Sequence, residues 1–152
     1  MSKYSLEYKY KITEIDLTMA TAKVEYSGGL RTVCTHLKSG EQIITDAPTD
    51  NNGKGEAFSP TDLVATAYAS CMLTVIGIHC EKNGIAFNHG TAEINKFMSD
   101  APRRISGLEI VMDLSGNGWD TVLCEKIKRV AETCPVANSL SNKIELTIKY
   151  IF

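Results

Sequence analysis

At 152 residues, with 43% hydrophobic and 22% charged side chains, the chain has the composition of one globular domain able to bury a sizeable core. A net charge of −2 spreads no basic field over the molecule, which argues against nucleic acid or an anionic membrane as partner. One domain spanning residues 1–152 is expected.

Tyr4, Leu6, Tyr8, Tyr10 and Ile12 alternate with Ser5, Glu7, Lys9 and Lys11, the pattern of a half-buried opening strand. The same residues lack the apolar core of a secretory leader, so the expected compartment is the cytoplasm. Ala20, Ala22, Val24 and Tyr26 continue with period two until Gly28-Gly29 turns the chain. Leu30 to Leu37 can return as a further strand, and Ser39-Gly40 turns into Glu41–Thr45. The polar stretch D-A-P-T-D-N-N-G-K-G-E-A-F at 46–58 predicts a loop, and loops of this length in compact domains often carry function.

The strongest local signal follows that loop. Ser59 can cap a helix, Pro60 fits the first helical position, and Asp62 completes an S-x-x-D capping box. Asn83-Gly84 supplies the stop. Leu63 to His79 carries no carboxylate, lysine or arginine and is apolar on every face, which predicts a helix buried all round. Such a run is also long enough to cross a bilayer. Against that reading stand Thr66, Ser70, Thr74 and His79 within it, and the absence of clustered Lys/Arg on one flank. One chain of this size can wrap the helix only in part, so a second copy is expected to supply the rest.

Ala86 to Met98 and Ile105 to Leu114 read as two strands joined as a hairpin through S-D-A-P-R-R. Asp120 or a neighbour caps a second helix with Val122, Leu123, Ile127, Val130 and Ala131 on its inner face, and Trp119 can act as its hydrophobic staple. Pro135 begins a short helical turn through Leu140, and Ile144, Leu146, Ile148 and Tyr150 close the chain as a strand. Strands grouped before and between helices predict an α+β fold with a mainly antiparallel sheet and a long buried central helix.

The five cysteines are Cys34, Cys71, Cys80, Cys124 and Cys134, with no C-x-x-C pair, so zinc and thioredoxin-type sites are not expected. No cofactor is expected either. Cys134 directly precedes Pro135 at a helix start, where unpaired N–H groups favour a thiolate. Cys71 lies within the long helix on the face of Val64, Tyr68, Val75 and Ile78, and its position alone describes a core cysteine. His79 is about 12 Å along the helix from Cys71, too far to be its base. His36 and His89 have no metal-ligand spacing, and Arg103 and Arg104 sit in a hairpin turn with a solvated or subunit-contact role.

The segment S-P-T-D-L-V-A-T-A-Y-A-S-C-M at 59–72, followed 63 residues after Cys71 by C-P-V-A-N-S-L at 134–140, resembles the OsmC/Ohr family of osmotically induced and organic hydroperoxide resistance proteins. The resemblance extends over most of the chain, including the strand-rich opening and the A-P-R-R hairpin. It implies an intertwined homodimer, organic hydroperoxide as substrate, and an external dithiol as reductant. It also implies that Cys71 is the peroxidatic cysteine, Cys134 the resolving one, and Arg31 the cation that holds the thiolate. The family places a glutamate directly after the proline at the helix start; here that position is Thr61, with Asp62 one residue later, which makes this a divergent branch. The alternative on the same fold is a non-enzymatic dimer that binds small apolar ligands and keeps its cysteines for packing.

Overall fold

The computed structural model describes residues 20–152; the strand expected over Tyr4–Ile12 lies outside them. Strand β1 (Ala22–Gly28) and β2 (Arg31–His36) form a hairpin closed by Gly29 and Leu30, with φ of 59° and 63°. Two successive left-handed residues match the right-handed twist of the flanking strands, which is why glycine stands at the first. Strand β3 (Gln42–Asp46) pairs antiparallel with β2, so that Val24, Cys34 and Ile43 lie side by side on one face.

Helix α1 (Pro60–Lys82) starts and stops where its caps dictate. The Asp62 N–H donates to Ser59 Oγ at 3.1 Å, and the Ser59 N–H donates to Asp62 Oδ2 at 2.8 Å. At the other end the Asn83 side chain donates to the His79 carbonyl at 2.7 Å, and Gly84 turns the chain with φ 63°. Strands β4 (Thr91–Asp100) and β5 (Arg103–Asp113) form the expected hairpin. β4 starts later than the alternation from Ala86 predicts. The N–H groups of Asn88 and His89 donate instead to the Asn117 side chain, at 2.9 and 3.2 Å, which takes them out of the sheet.

Helix α2 (Thr121–Ala131) is capped by Asp120, whose carboxylate accepts from the Leu123 N–H at 2.7 Å. Its buried face is Cys124, Ile127 and Ala131, whereas Val122, expected inside, is 78% exposed. Trp119 donates to the Ala86 carbonyl at 2.9 Å and packs on Phe87 and Phe152. The short helix α3 (Pro135–Ser139) leads into β6 (Glu145–Ile151).

The strands form two sheets, ordered β1-β2-β3 and β4-β5-β6. Three pairings are antiparallel, as expected, but β5 and β6 run parallel. The α2–α3 segment is the crossover that a parallel pair requires. Leu108, Ile110, Met112 and Leu114 point from β5 into a core shared with Tyr68, Met72, Ile76 and Cys80 of α1. Each such large apolar side chain contributes on the order of 1.5–3 kcal/mol by leaving water.

Helix α1 is long and apolar enough to cross a membrane by length and composition. Here it forms the centre of this core. Among the described residues it is not covered all round: Val64, Ala67, Ser70, Thr74 and Ile78 make one exposed stripe. The first sheet is barer still, with Val24, Tyr26, Ile43 and Ile44 each at least half exposed.

Candidate dithiol site

Cys71 and Cys134, 63 positions apart in the chain, come together on the α1 side of the core, near enough for one thiol to raise the other. Cys71 is partly exposed in the middle of α1, and Cys134 is buried at the point where α2 ends and α3 begins. Both are free thiols, as are Cys34, Cys80 and Cys124.

Cys134 is the residue that caps α3, its sulfur accepting from the Ala137 N–H at 3.3 Å. Burial nevertheless pushes this thiol up, against the Ala137 N–H that favours the thiolate, and the nearby Cys71 raises it further. The expectation that a helix start makes Cys134 the readily ionised cysteine is therefore corrected: removal from water outweighs one N–H. Tyr68, packed in the same core, has its hydroxyl raised by burial and by the proximity of Cys134 and Glu132. Tyr150 carries a buried hydroxyl with no partner among the described residues.

Arg31 opens β2, and within one chain its guanidinium is engaged by two carboxylates. It donates to Asp46 Oδ2 at 3.2 Å and to Glu56 in the loop before α1. The Asp46 side chain is fully buried, accepts the Glu56 N–H at 3.0 Å, and keeps its second oxygen without a partner among the described residues. The Glu56 N–H, then the Arg31 guanidinium, hold the Asp46 carboxyl below the usual carboxylate range, against a burial cost.

Thr61, at the position where the resemblance calls for a glutamate, is tied to Lys96 of β4. The Lys96 ammonium donates to Thr61 Oγ1 and to Asp62 Oδ1, each at 2.7 Å, and to Ser59 Oγ at 3.4 Å. Burial alone would raise the Asp62 carboxyl, but Lys96 and Ser59 hold it below the usual range. Asp62 is thus both cap and counter-ion, in line with the structural role read from the sequence. Lys96 itself was not foreseen. Its signal lay in the alternation of β4, where it takes an inward position between Ile94 and Met98.

A cavity of about 580 Å³ lies beside this lysine, lined by Glu56, Phe58, Asp62, Thr66 and Ile94 among others. Neither thiol lines it. Of the histidines, His36 bonds Ser39 Oγ at 2.7 Å, and no cluster able to hold a metal ion occurs among the described residues.

The structure is thus a small α+β fold built on a capped apolar helix, with two free thiols near one another at a helix junction. Residues 53–149 match the family described as OsmC-like protein. The fold agrees with solved structures. A candidate osmotic stress induced and detoxification response protein from Psychrobacter arcticus 273-4 is 47% identical with a TM-score of 0.82, over 87% of this chain and 96% of that one. The organic hydroperoxide resistance protein OsmC from Legionella pneumophila has 17% identity and a TM-score of 0.70, over 88% and 98%. The organic hydroperoxide resistance protein OhrB of Bacillus subtilis has 16% identity and a TM-score of 0.60, over 86% and 98%. No curated protein matches the chain. The chain belongs to the OsmC-like family, in a branch divergent from these last two proteins.

Proposed function

We propose that this protein is a cofactor-free, two-cysteine reductase of organic hydroperoxides that works as a homodimer in the cytoplasm. The nearness of the Cys71 and Cys134 thiols is the observation that carries the reading, because a two-cysteine cycle needs two sulfurs that can meet. Cys71 is the more accessible of the two and is the sulfur a substrate can meet first.

The cycle begins with the Cys71 thiolate attacking one peroxide oxygen. An S–O bond forms as the O–O bond breaks, the alkoxide takes a proton and leaves as the alcohol, and Cys71 becomes a sulfenic acid. Cys134 then attacks that sulfur; the S–S bond forms, and the Cys134 proton leaves with the displaced hydroxide as water. An external dithiol restores both thiols by exchange. Burial suits Cys134 to this second step, since a resolving thiol kept protonated does not compete for peroxide. The apolar surroundings favour an alkyl hydroperoxide over hydrogen peroxide, because alkyl groups gain from leaving water.

Arg31 is the cation proposed to hold the Cys71 thiolate. In one chain it is bound to Asp46 and Glu56, and in this proposal it reaches the thiolate of the partner subunit. The uncovered stripe of α1 and the bare first sheet support the dimer, since both expose large apolar side chains side by side.

The second reading, a dimeric binder of small apolar ligands, is favoured by Thr61, which is bound to Lys96 where the resemblance calls for a glutamate that orients arginine. Consumption of cumene hydroperoxide and hydrogen peroxide with a dithiol reductant decides between them. Turnover of cumene hydroperoxide that disappears in Cys71→Ser, with Cys134→Ser accumulating sulfenic acid, is expected. No turnover above the Cys71→Ser background with either peroxide would make the binder the reading to keep.

A further inference from the structure

Between α1 and α2 lies a groove of about 440 Å³ with two kinds of wall. Val75, Ile78 and Val130 make it apolar, and Lys82, Lys126 and Arg129 stand around it. None of these three cations pairs with a carboxylate among the described residues; Glu125, on the same helix as two of them, is taken by Lys128 at 2.6 Å. His79 also lines the groove, and its Nε2 is buried with no hydrogen-bond partner among the described residues.

Three like charges gathered at one opening repel each other, and a buried ring nitrogen without a partner is a cost the fold carries. An anion relieves both. The apolar wall calls for something else, an alkyl chain, so the two halves together describe an amphipathic molecule with one negative head. We infer that this groove binds a long-chain carboxylate, with the head held by Lys82, Lys126 and Arg129 and the chain laid along Val75 and Val130. The planar fork of Arg129 suits the two oxygens of a carboxylate. Val75 lies one helical turn from Cys71, and Thr133, which also lines the groove, adjoins Cys134, so the chain runs toward the dithiol. Only that last placement rests on the peroxidase reading.

Calorimetric titration of the full-length protein with decanoate and with decanol, both below micelle-forming concentrations, tests the site without turnover. Decanoate should bind saturably and at least about tenfold tighter than decanol, the size of a few exposed ion pairs acting together. The preference should shrink at high salt, which screens exposed charges, and vanish in the Lys126→Glu/Arg129→Glu variant while circular dichroism stays unchanged. Equal binding of acid and alcohol overturns the inference, and so does a preference that survives both salt and the variant. Absence of decanoate binding, the result if a second copy fills the groove past Ile78, overturns it too. Failure of peroxide turnover leaves this titration unaffected, so the two readings fall separately.

Discussion

Asp46 shows how one side chain ties the loop before α1 to the first sheet. Its Oδ2 receives both the Glu56 N–H and the Arg31 guanidinium, and the ionised form accepts both more strongly than the neutral one. The carboxyl is held below the usual range, so between that folded value and about pH 3.9 the unfolded chain binds the proton and the folded chain does not. Stability supplied by this group is therefore present above about pH 3.9 and lost as pH falls through its folded value. Urea denaturation should find Asp46→Asn less stable than the native protein at pH 7, with the gap closing as the pH is lowered toward 3. A gap of constant size across that range would show that the carboxylate charge does not matter. Lys96 is the second such residue, a cation turned inward because three oxygens of the helix start are there to receive it.

At the scale of elements, α1 carries the most of the architecture for the fewest residues. Ser59 is buried and satisfies the Asp62 N–H, so Ser59→Ala leaves that donor without its partner and strips Lys96 of one oxygen. A cost of about 1–2 kcal/mol is expected, or a fall in Tm of roughly 2–8 °C for a chain of this length. Ser59→Thr should recover most of it, since the hydroxyl is what the cap uses. An unchanged Tm in Ser59→Ala would mean that Pro60 and Asp62 alone start the helix. The pairing of β6 with β5 is the other decision made between elements. Ile148 beside Ile110 and Tyr150 beside Met112 continue the inner face of the sheet, and a parallel arrangement is what the α2–α3 crossover delivers.

For the molecule as a whole, a single chain leaves its first sheet with Val24 at 62% and Tyr26 at 68% exposed, and α1 with Ile78 at 45%. Apolar residues in register across three strands make a face, and in the proposed dimer a second copy of the same chain covers it with the same face or with its own helix. Sedimentation equilibrium should give twice the mass of one chain. Val24→Asp together with Ile43→Asp, adjacent to Cys34 from either side, should shift that equilibrium toward the monomer. The double variant should also lower peroxide turnover if Arg31 acts on the partner's thiolate. A native protein that sediments at the mass of one chain would remove the dimer, and with it the proposed role of Arg31.

The long helix, its two ends, the hairpins and the order of elements could all be read before any coordinate, because each follows from residues a few positions apart. Ser59 meets Asp62 and Gly84 ends what Pro60 began within one stretch of chain, and strand alternation is a property of the strand itself. Only resemblance, not spacing, could pair Cys71 with Cys134, and nothing local could show Lys96 reaching Thr61 or Arg31 reaching Glu56. The misplacement of Val122 has the same origin, since amphipathic periodicity names a face without saying how far a neighbouring element extends over it. Contacts across tens of residues depend on which faces the core brings together, on register and on the direction of a crossover. Those are settled by packing the whole chain at once.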